Sequence, residues 1–349
     1  MRRFPRSPSP AASPLPRLRS SGLLFLFTCL LVNITGCYRW AQVPDGLQQK
    51  PINLTVGQLV QRYTEISPKP MLAAPVVAKK PGLLLLHSGF SGDESVTADL
   101  GRALAGQGVV VLMPAYRGQL RRLDDQRSDG KIEFCKGEVQ DAEAGLNWLR
   151  EQPEVDPARI AVMGLSHGGC IALHLAGRAP WLRAVVTMSA PVAIGPLIEH
   201  LEATRFQTFF YNGILASQLK GYAQARPEAQ TQAYVDRSPL PLVPSLSVPM
   251  LVFHGTADRL VPVQQACWLW SALRRGGRPG QERLLDRSGH LQALTQPVCG
   301  TETPTAASPA QGPSADFIFM QGQDHIYSST ARAAAHQTAI DYLLKQLAP

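Results

Sequence analysis

Six short apolar runs, separated by segments with helical spacing, dominate the chain from about residue 80 onward. The runs are Gly82–Leu86, Val109–Met113, Ile160–Met163, Ala184–Met188, Met250–Phe253 and Phe317–Met320. Apolar side chains recur at helical spacing over Thr97–Gln107, Val139–Leu149 and Ala333–Leu347. Continuous apolar runs that alternate with amphipathic helices are typical of a parallel sheet buried on both faces. The pattern therefore predicts an α/β fold with a doubly wound, mostly parallel sheet.

Two segments break this alternation. Residues 191–247 have helical spacing and end in a cluster of prolines, which predicts a helical cap inserted after the Ala184–Met188 strand. Residues 276–315 are rich in Gly, Pro, Thr, Ser and Ala, and they predict an irregular insertion before the last strand. Residues 37–80 predict a tether with one or two edge strands, so the main domain is expected to span residues 81–349.

The first 36 residues have the pattern of an export signal. Five arginines precede an apolar run at residues 22–34, which is too short to cross a bilayer as a helix. The four residues ending at Cys37, Ile-Thr-Gly-Cys, resemble a bacterial lipobox. They predict diacylation of Cys37 and an exported, membrane-anchored lipoprotein, and Tyr38 after the cysteine favours an outer-membrane or periplasmic location. An ordinary signal peptide with a chance cysteine is the alternative.

Removal of residues 1–36 changes the charge of the protein. The whole chain has a formal net charge of +8, and the removed segment holds five arginines and no acidic residue, which leaves about +3. Nucleic-acid binding needs a concentrated basic face, and this modest charge gives no case for it. The expected partners are a small-molecule ester or peptide substrate and, through the lipid, a membrane.

Four cysteines remain beyond the signal and the lipid-bearing residue, and export permits disulfides. Their spacing fits no metal site, and the sequence implies no metal or organic cofactor. Cys135 and Cys299 lie in loop-like stretches and form the predicted pair. Cys170 and Cys267 lie in apolar helical patterns and predict small buried side chains.

A Gly-Leu-Ser-His-Gly motif follows the third apolar run directly. Its glycines, Gly164 and Gly168, allow a sharp turn between a strand and a helix, and the turn lifts Ser166 clear of the sheet. The N-terminus of the next helix carries positive partial charge toward a reacting carbonyl. The motif therefore predicts a nucleophile elbow with Ser166 as the nucleophile.

An oxyanion hole needs two donors that point at the developing negative charge. The backbone N–H of His167 is the first predicted donor, because it follows the nucleophile. The second should come from the loop after Gly82–Leu86, where the N–H of Gly89 or Phe90 is the candidate.

A serine hydroxyl needs a base that is itself held by an acid, and in this fold they follow in the order serine, acid, histidine. Asp258 follows the Met250–Phe253 strand and is the predicted acid. His325 follows the Phe317–Met320 strand and precedes the closing helix, which makes it the predicted base. His290 is the alternative base, since its spacing from Asp258 is closer to that of compact hydrolases.

Several stretches resemble the catalytic domain of the prolyl-oligopeptidase family in the α/β-hydrolase superfamily. They are Tyr116-Arg117-Gly118, Asp141, Trp148-Leu149, Val155–Ile160, the Ser166 motif, Ser238-Pro239-Leu240, Val248-Pro249 and His254–Asp258. The likeness covers about residues 80–275 and 316–347, and it overlaps with dienelactone-hydrolase-like proteins, which usually carry Cys in place of Ser166. The resemblance implies Ser166, Asp258 and His325 as the triad. Some 40 mature residues precede the core, so the size-selecting β-propeller of that family is not expected.

The resulting hypothesis is a serine hydrolase that cleaves an ester or amide bond through an acyl-enzyme on Ser166. His325 would move the proton and Asp258 would orient His325. A carboxylesterase is the preferred interpretation, and a serine peptidase of the prolyl-oligopeptidase type is the alternative. A non-catalytic binding lipoprotein and an acyltransferase of the same mechanism are further hypotheses.

Overall fold

A central sheet organises the computed structural model, which describes residues 43–70, 78–89, 93–205, 211–223, 230–300 and 312–349. Its strands are β1 (Leu47–Val56), β2 (Leu59–Pro68), β3 (Lys80–Leu86), β4 (Val110–Ala115), β7 (Val155–Leu165), β8 (Ala184–Met188), β9 (Met250–Gly255), β10 (Glu282–Leu285), β11 (Leu291–Ala293) and β12 (Ala315–Met320). Two further strands, β5 (Leu120–Arg121) and β6 (Gln126–Arg127), form a separate hairpin.

The strand order is β1-β2-β4-β3-β7-β8-β9-β12-β10-β11. Neighbours from β4 to β10 in this order are parallel, whereas β1, β2 and β11 pair antiparallel at the two edges. Every residue of β4, β8 and β9 is buried, which explains why their sequences are continuous apolar runs. The predicted doubly wound, mostly parallel sheet is confirmed.

Helices connect and flank these strands. They are α1 (Ala98–Gly106), α2 (Gly137–Glu151), α3 (His167–Arg178), α4 (Ile194–Ala203), α5 (Tyr211–Ala223), α6 (Gln230–Val235), α7 (Gln264–Arg275) and α8 (Ser329–Gln346). Short 3-10 helices span Glu94–Thr97 and Leu240–Ser245. The segment expected to be a helical cap contains α4, α5, α6 and the second of these 3-10 helices.

Three of the parallel strands position the candidate site. β7, β9 and β12 run in the same direction, and β8 lies between β7 and β9. Their carboxyl ends therefore meet at one edge of the sheet, where α/β proteins bind ligands. The segments that leave these ends carry Ser166, Asp258 and His325.

The segment 276–315 is less irregular than its composition indicates. It contains β10 and β11, and β10 pairs in parallel with β12, with Leu285 opposite Met320. Glu282 and Arg283 interrupt the apolar pattern of β10, and Glu282, Arg283 and Leu284 are only half-buried near the sheet edge. A strand so close to the edge needs fewer apolar residues, so composition alone does not identify it.

The disulfide pairing predicted from the sequence is wrong. Cys135 pairs with Cys170, and Cys267 pairs with Cys299, at Cα–Cα distances of 6.2 Å and 4.9 Å. Cys170 lies in the first turn of α3, and Cys267 lies in the first turn of α7. Each pair thus joins a cysteine on a helix to a cysteine in a loop that packs against that helix.

The predicted edge strands after the tether correspond to β1 and β2. Arg121 is buried beneath this hairpin, and its Nη1 donates to the backbone carbonyls of Ile52 and Tyr63 at 2.8 Å and 3.1 Å. The export signal and Cys37 lie outside the described residues. Within the described ranges, no helix is long and apolar enough to span a bilayer.

Candidate active site

Ser166 occupies the sharp turn between β7 and α3. Its φ of 51° is in the left-handed region, which is strained for a serine. A Cβ on Gly164 would lie 2.1 Å from the Gly168 carbonyl oxygen, and a Cβ on Gly168 would lie 2.5 Å from the Leu86 carbonyl oxygen. Only glycine fits at both positions, so the backbone of the motif can fold tightly enough to expose the Ser166 hydroxyl.

The structure brings Ser166, His325 and Asp258 into one hydrogen-bonded chain. His325 Nε2 lies 2.9 Å from Ser166 Oγ, and His325 Nδ1 lies 2.8 Å from Asp258 Oδ2. This arrangement fits a neutral imidazole whose Nδ1–H donates to the carboxylate and whose Nε2 accepts the serine hydroxyl proton. The geometry is therefore suited to activation of a serine nucleophile.

Asp258 is held as a carboxylate although it is buried. Its Oδ1 accepts the backbone N–H groups of Leu260 and Val261 at 3.0 Å and 2.8 Å. Burial alone would raise the pKa of Asp258, but His325, the second histidine His254 and the Val261 N–H together hold that pKa below its ordinary value. An ionised Asp258 can orient His325 at neutral pH.

Sequence reasoning missed His254, which lies at the end of β9 behind Asp258. Its Nε2 lies 2.8 Å from the Val261 carbonyl and 3.7 Å from Asp258 Oδ2. Burial lowers the pKa of His254, so the ring is neutral near pH 7. The apolar run Met250–Phe253 ends directly before this histidine, and nothing in that pattern distinguishes His254 from an ordinary loop residue.

The alternative base, His290, lies in the turn between β10 and β11. Its side chain is 79% exposed, and its Nδ1 lies 3.8 Å from Asp286 Oδ2. The backbone N–H of His290 also donates to Asp286 at 2.9 Å. The structure therefore places His325, and not His290, beside Ser166 and Asp258.

The candidate oxyanion donors differ in their availability. The backbone N–H of His167 makes no hydrogen bond within the described residues. The N–H of Gly89 instead donates to His87 Nδ1 at 3.1 Å, so it is already engaged in this conformation. Phe90 lies outside the described residues, and its role as the second donor stays a prediction.

A loop that the sequence did not single out packs against His167. Phe134 stacks on the imidazole of His167, with ring centroids 4.4 Å apart, and the N–H of Cys135 donates to His167 Nε2 at 3.0 Å. Burial lowers the pKa of His167 to about 3, so its ring stays neutral and can accept this hydrogen bond. The Cys135–Cys170 disulfide ties the same loop to the helix that begins after Ser166.

A cavity of about 270 Å³ opens beside Ser166 and His325. Most of its lining is apolar, and helices of the segment 191–247 and the turn after Asp258 supply part of it. The described lining residues are Ser88, Val96, Phe134, Leu165, Ser166, Met188, Ser189, Pro191, Leu197, Leu215, Leu219, Leu260, Val261, His325, Ile326, Tyr327, Arg332 and His336. In the part of the chain that the structure describes, no cluster of three or more His, Cys, Asp or Glu residues could hold a metal ion.

The serine on a strand-to-helix turn, at the carboxyl edge of a mostly parallel sheet, defines an α/β-hydrolase. The model of the prolyl oligopeptidase family matches residues 100–298, which is more than half of the chain, and the protein belongs to this family. Membership implies serine hydrolase activity, and it confirms the resemblance seen in the sequence.

Similar proteins include enzymes that release acylamino acids. The chain is 30% identical to acylamino-acid-releasing enzyme 2 of Oryza sativa over 203 residues, which are 57% of this chain and 26% of that protein. It is 26% identical to the acylamino-acid-releasing enzyme of Rattus norvegicus over 189 residues, which are 54% of this chain and 25% of that protein. The chain therefore spans about a quarter of the length of these curated relatives.

A puromycin-hydrolyzing peptidase of Mycobacterium tuberculosis has a similar solved structure. The two superimpose with a TM-score of 0.60 at 18% sequence identity, over 86% of this chain and 40% of the peptidase chain. At this identity the likeness supports the shared fold.

Proposed function

We propose that the protein is a serine peptidase that cleaves the amide bond after a neutral, apolar acyl unit, with Ser166, His325 and Asp258 as its triad. The observation that carries the proposal is the 2.9 Å contact between Ser166 Oγ and His325 Nε2, beside an apolar cavity. A serine without such a base is a weak nucleophile at neutral pH.

The proposed reaction has two stages. Ser166 attacks the carbonyl while His325 Nε2 takes its proton, and the imidazolium stays paired with Asp258. The His167 N–H, together with the predicted N–H of Phe90, would stabilise the oxyanion. His325 then donates the proton to the leaving amine, and water releases the acyl group from Ser166 by the same steps.

The lining of the cavity supports a substrate whose acyl side is uncharged. No Asp or Glu is among the described lining residues. A free α-ammonium group in this cavity would lose water without gaining a counter-charge, which is unfavourable. A blocked amino group avoids this penalty, and the acylamino-acid-releasing relatives support the same substrate class. The carboxylesterase interpretation receives less support from these relatives.

A fluorophosphonate probe tests the triad directly, because it reacts with activated serines. We expect labelling of the wild-type protein, no labelling of Ser166→Ala, and labelling of His325→Ala slowed at least about 100-fold by loss of the base. His290→Ala is the matched control and should label like the wild type. An unlabelled wild-type protein would contradict the proposal and favour a non-catalytic binding lipoprotein.

A small substrate panel tests whether the enzyme cleaves amides or esters and whether it prefers a blocked amino group. Acetyl-leucine p-nitroanilide should be cleaved faster than leucine p-nitroanilide, whose free ammonium group would enter the apolar cavity. Cleavage of p-nitrophenyl esters without cleavage of either anilide would support the carboxylesterase interpretation instead.

We also propose that the protein is exported and held on a membrane by a lipid on Cys37. All four cysteines beyond the signal and the lipid-bearing residue are paired in disulfides, which form and persist in oxidising compartments. Two or more acyl chains provide stable membrane anchoring, whereas one alone is marginal.

A further inference from the structure

The cavity beside Ser166 has two unlike sets of lining residues. One set is apolar and comes from α4, α5 and the turn after Asp258: Leu197, Leu215, Leu219, Leu260 and Val261. The other set comes from α8 and consists of Arg332 and His336. These two residues are one helical turn apart, so they lie on the same face of α8.

Arg332 is the only Lys or Arg among the described residues that line the cavity. It is exposed, and its guanidinium has no hydrogen bond or ion pair with any residue of the described ranges. Burial and Arg332 lower the pKa of His336 against the opposing effect of Asp99, which is itself paired with Arg102, and that imidazole is neutral near pH 7. The positive charge on this side of the cavity therefore belongs to Arg332, and it is available to an anionic group of a ligand.

The chemistry of the site determines which end of the substrate meets Arg332. His325 must deliver a proton to the leaving amine, so the leaving group lies on the His325 side of Ser166. From His325 the chain continues through Ile326 and Tyr327, which also line the cavity, into α8. Arg332 is the fourth residue of that helix, and the leaving group therefore lies toward Arg332, whereas the cap offers an apolar surface to the acyl group.

We propose that Arg332 binds the carboxylate of the leaving group, so that the substrate is a short N-acylated peptide whose free C-terminus lies close to the cleaved bond. The proposal rests on the proposed function and narrows its substrate class. A guanidinium recognises a carboxylate through two parallel hydrogen bonds and carries its charge at every physiological pH. The uncharged acyl side of the cavity thus selects a neutral acyl group. The single cation on the other side selects a leaving group that carries a carboxylate.

A matched pair of peptides tests Arg332 without altering the cleaved bond. N-acetyl-Leu-Ala with a free carboxylate and the same peptide with a C-terminal carboxamide differ only in the proposed anchor group. We expect wild-type kcat/KM to favour the carboxylate by about tenfold, the usual effect of one charged hydrogen-bonded contact. The difference should appear mainly in KM, because the contact exists before and during the reaction.

The variant Arg332→Gln should lose this preference, so that its kcat/KM values for the carboxylate and the carboxamide peptides become about equal. Arg332→Lys should retain part of the preference, since it keeps the charge but not the two-pronged geometry. Lys345→Gln, which removes an exposed charge near the other end of α8, is the matched control and should behave as the wild type. A wild-type protein without the preference, or an Arg332→Gln variant that keeps it, would overturn the proposal.

Failure of the proposed function has a different signature. The wild-type protein would then cleave neither peptide, whatever its C-terminus. In that case, binding of the two peptides can still be measured, because a bound peptide protects Ser166 from the fluorophosphonate probe. Stronger protection by the carboxylate in the wild type, but not in Arg332→Gln, would support the anchor, and equal protection would refute it.

Discussion

At the scale of single residues, burial removes several histidines from the candidates for the base. His87 and His167 are fully enclosed, and burial lowers the pKa of each to about 3. Burial also lowers the pKa of His254. These rings stay neutral and act as packing or hydrogen-bonding groups, whereas His325 reaches both Ser166 and Asp258. Among these rings, only His325 lies where the proposed mechanism needs a base.

Glu94, in the 3-10 helix before α1, makes stability depend on pH. Burial raises its pKa from 4.5 to about 8, although a hydrogen bond from the Arg122 N–H opposes the shift. Between these two values the unfolded chain loses a proton that the native protein keeps, so rising pH destabilises the native state. Glu94→Gln removes this pH-dependent loss of stability. The unfolding free energy of the variant minus that of the wild type should therefore increase from pH 4.5 to about pH 8 and then stay constant.

Urea unfolding between about pH 5 and pH 9 measures this difference. Glu151→Gln, at the exposed end of α2, is the control and should follow the wild type at every pH. A pH-independent difference between Glu94→Gln and the wild type would mean that Glu94 is ionised in the native protein.

The three residues that form the Ser166–His325–Asp258 hydrogen bonds were predicted from the sequence. Two residues that pack around them, Phe134 and His254, were not. Ser166, Asp258 and His325 each follow an apolar run, so position along the chain favoured them, although His290 stayed open as the alternative base. Phe134 stacks on the ring of His167, and His254 lies within hydrogen-bonding distance of the Val261 carbonyl. Contacts of that kind depend on three-dimensional packing and have no fixed spacing in the sequence.

At the scale of elements, the Cys135–Cys170 disulfide ties the loop at Phe134 to α3. Phe134 and Cys135 both have a φ of 56°, a backbone conformation that is unfavourable for residues with side chains. The disulfide holds this strained loop against His167 and the cavity. Replacement of both cysteines with serine should slow fluorophosphonate labelling of Ser166 several-fold, because the loop can relax away from the site.

The second disulfide provides a close control. Cys135–Cys170 and Cys267–Cys299 close segments with sequence separations of 35 and 32 residues, so loss of either should reduce stability by a similar amount, about 2–4 kcal/mol. Only loss of the first should slow labelling at a temperature where both variants remain folded. Equal labelling rates in the two variants would show that the loop at Phe134 keeps its position without the bond.

Elements with a strong apolar pattern were predicted well, and the strands β10 and β11 at one edge of the sheet were not. The predicted run Ala184–Met188 coincides with β8, and Phe317–Met320 lies within β12. The strand β10 was not predicted, because charged residues are tolerated near the edge of a sheet and interrupt the apolar pattern there. The disulfide pairing was mistaken because helical spacing identifies a buried face but not the loop that packs against it.

At the scale of the whole molecule, the sheet gathers residues that are distant along the chain. Ser166 and His325 are 159 residues apart in sequence, and Asp258 and His325 are 67 apart, yet both pairs are in hydrogen-bonding contact. The shared direction of β7, β9 and β12 brings them together. The segment 191–247 supplies part of the cavity lining but none of these hydrogen-bonded contacts.

The export proposal predicts the behaviour of the complete chain in a bacterial host that processes lipoproteins. The wild-type protein should incorporate radioactive palmitate and sediment with membranes, because acylated Cys37 would anchor it. Cys37→Ala should lose both properties, whereas Cys299→Ala should keep them. Palmitate incorporation in Cys37→Ala would place the lipid elsewhere or show that the lipobox resemblance is misleading.

The Cys135–Cys170 bond has a consequence for the cell that makes this hydrolase. Thiols stay reduced in a bacterial cytoplasm, so under the export proposal a newly synthesised chain would lack this disulfide until it reached an oxidising compartment. By the slowing predicted for the double serine variant, the reduced protein would then be several-fold less reactive at Ser166 than the oxidised one. Oxidation after export would thereby raise the activity of the proposed peptidase where its substrates lie.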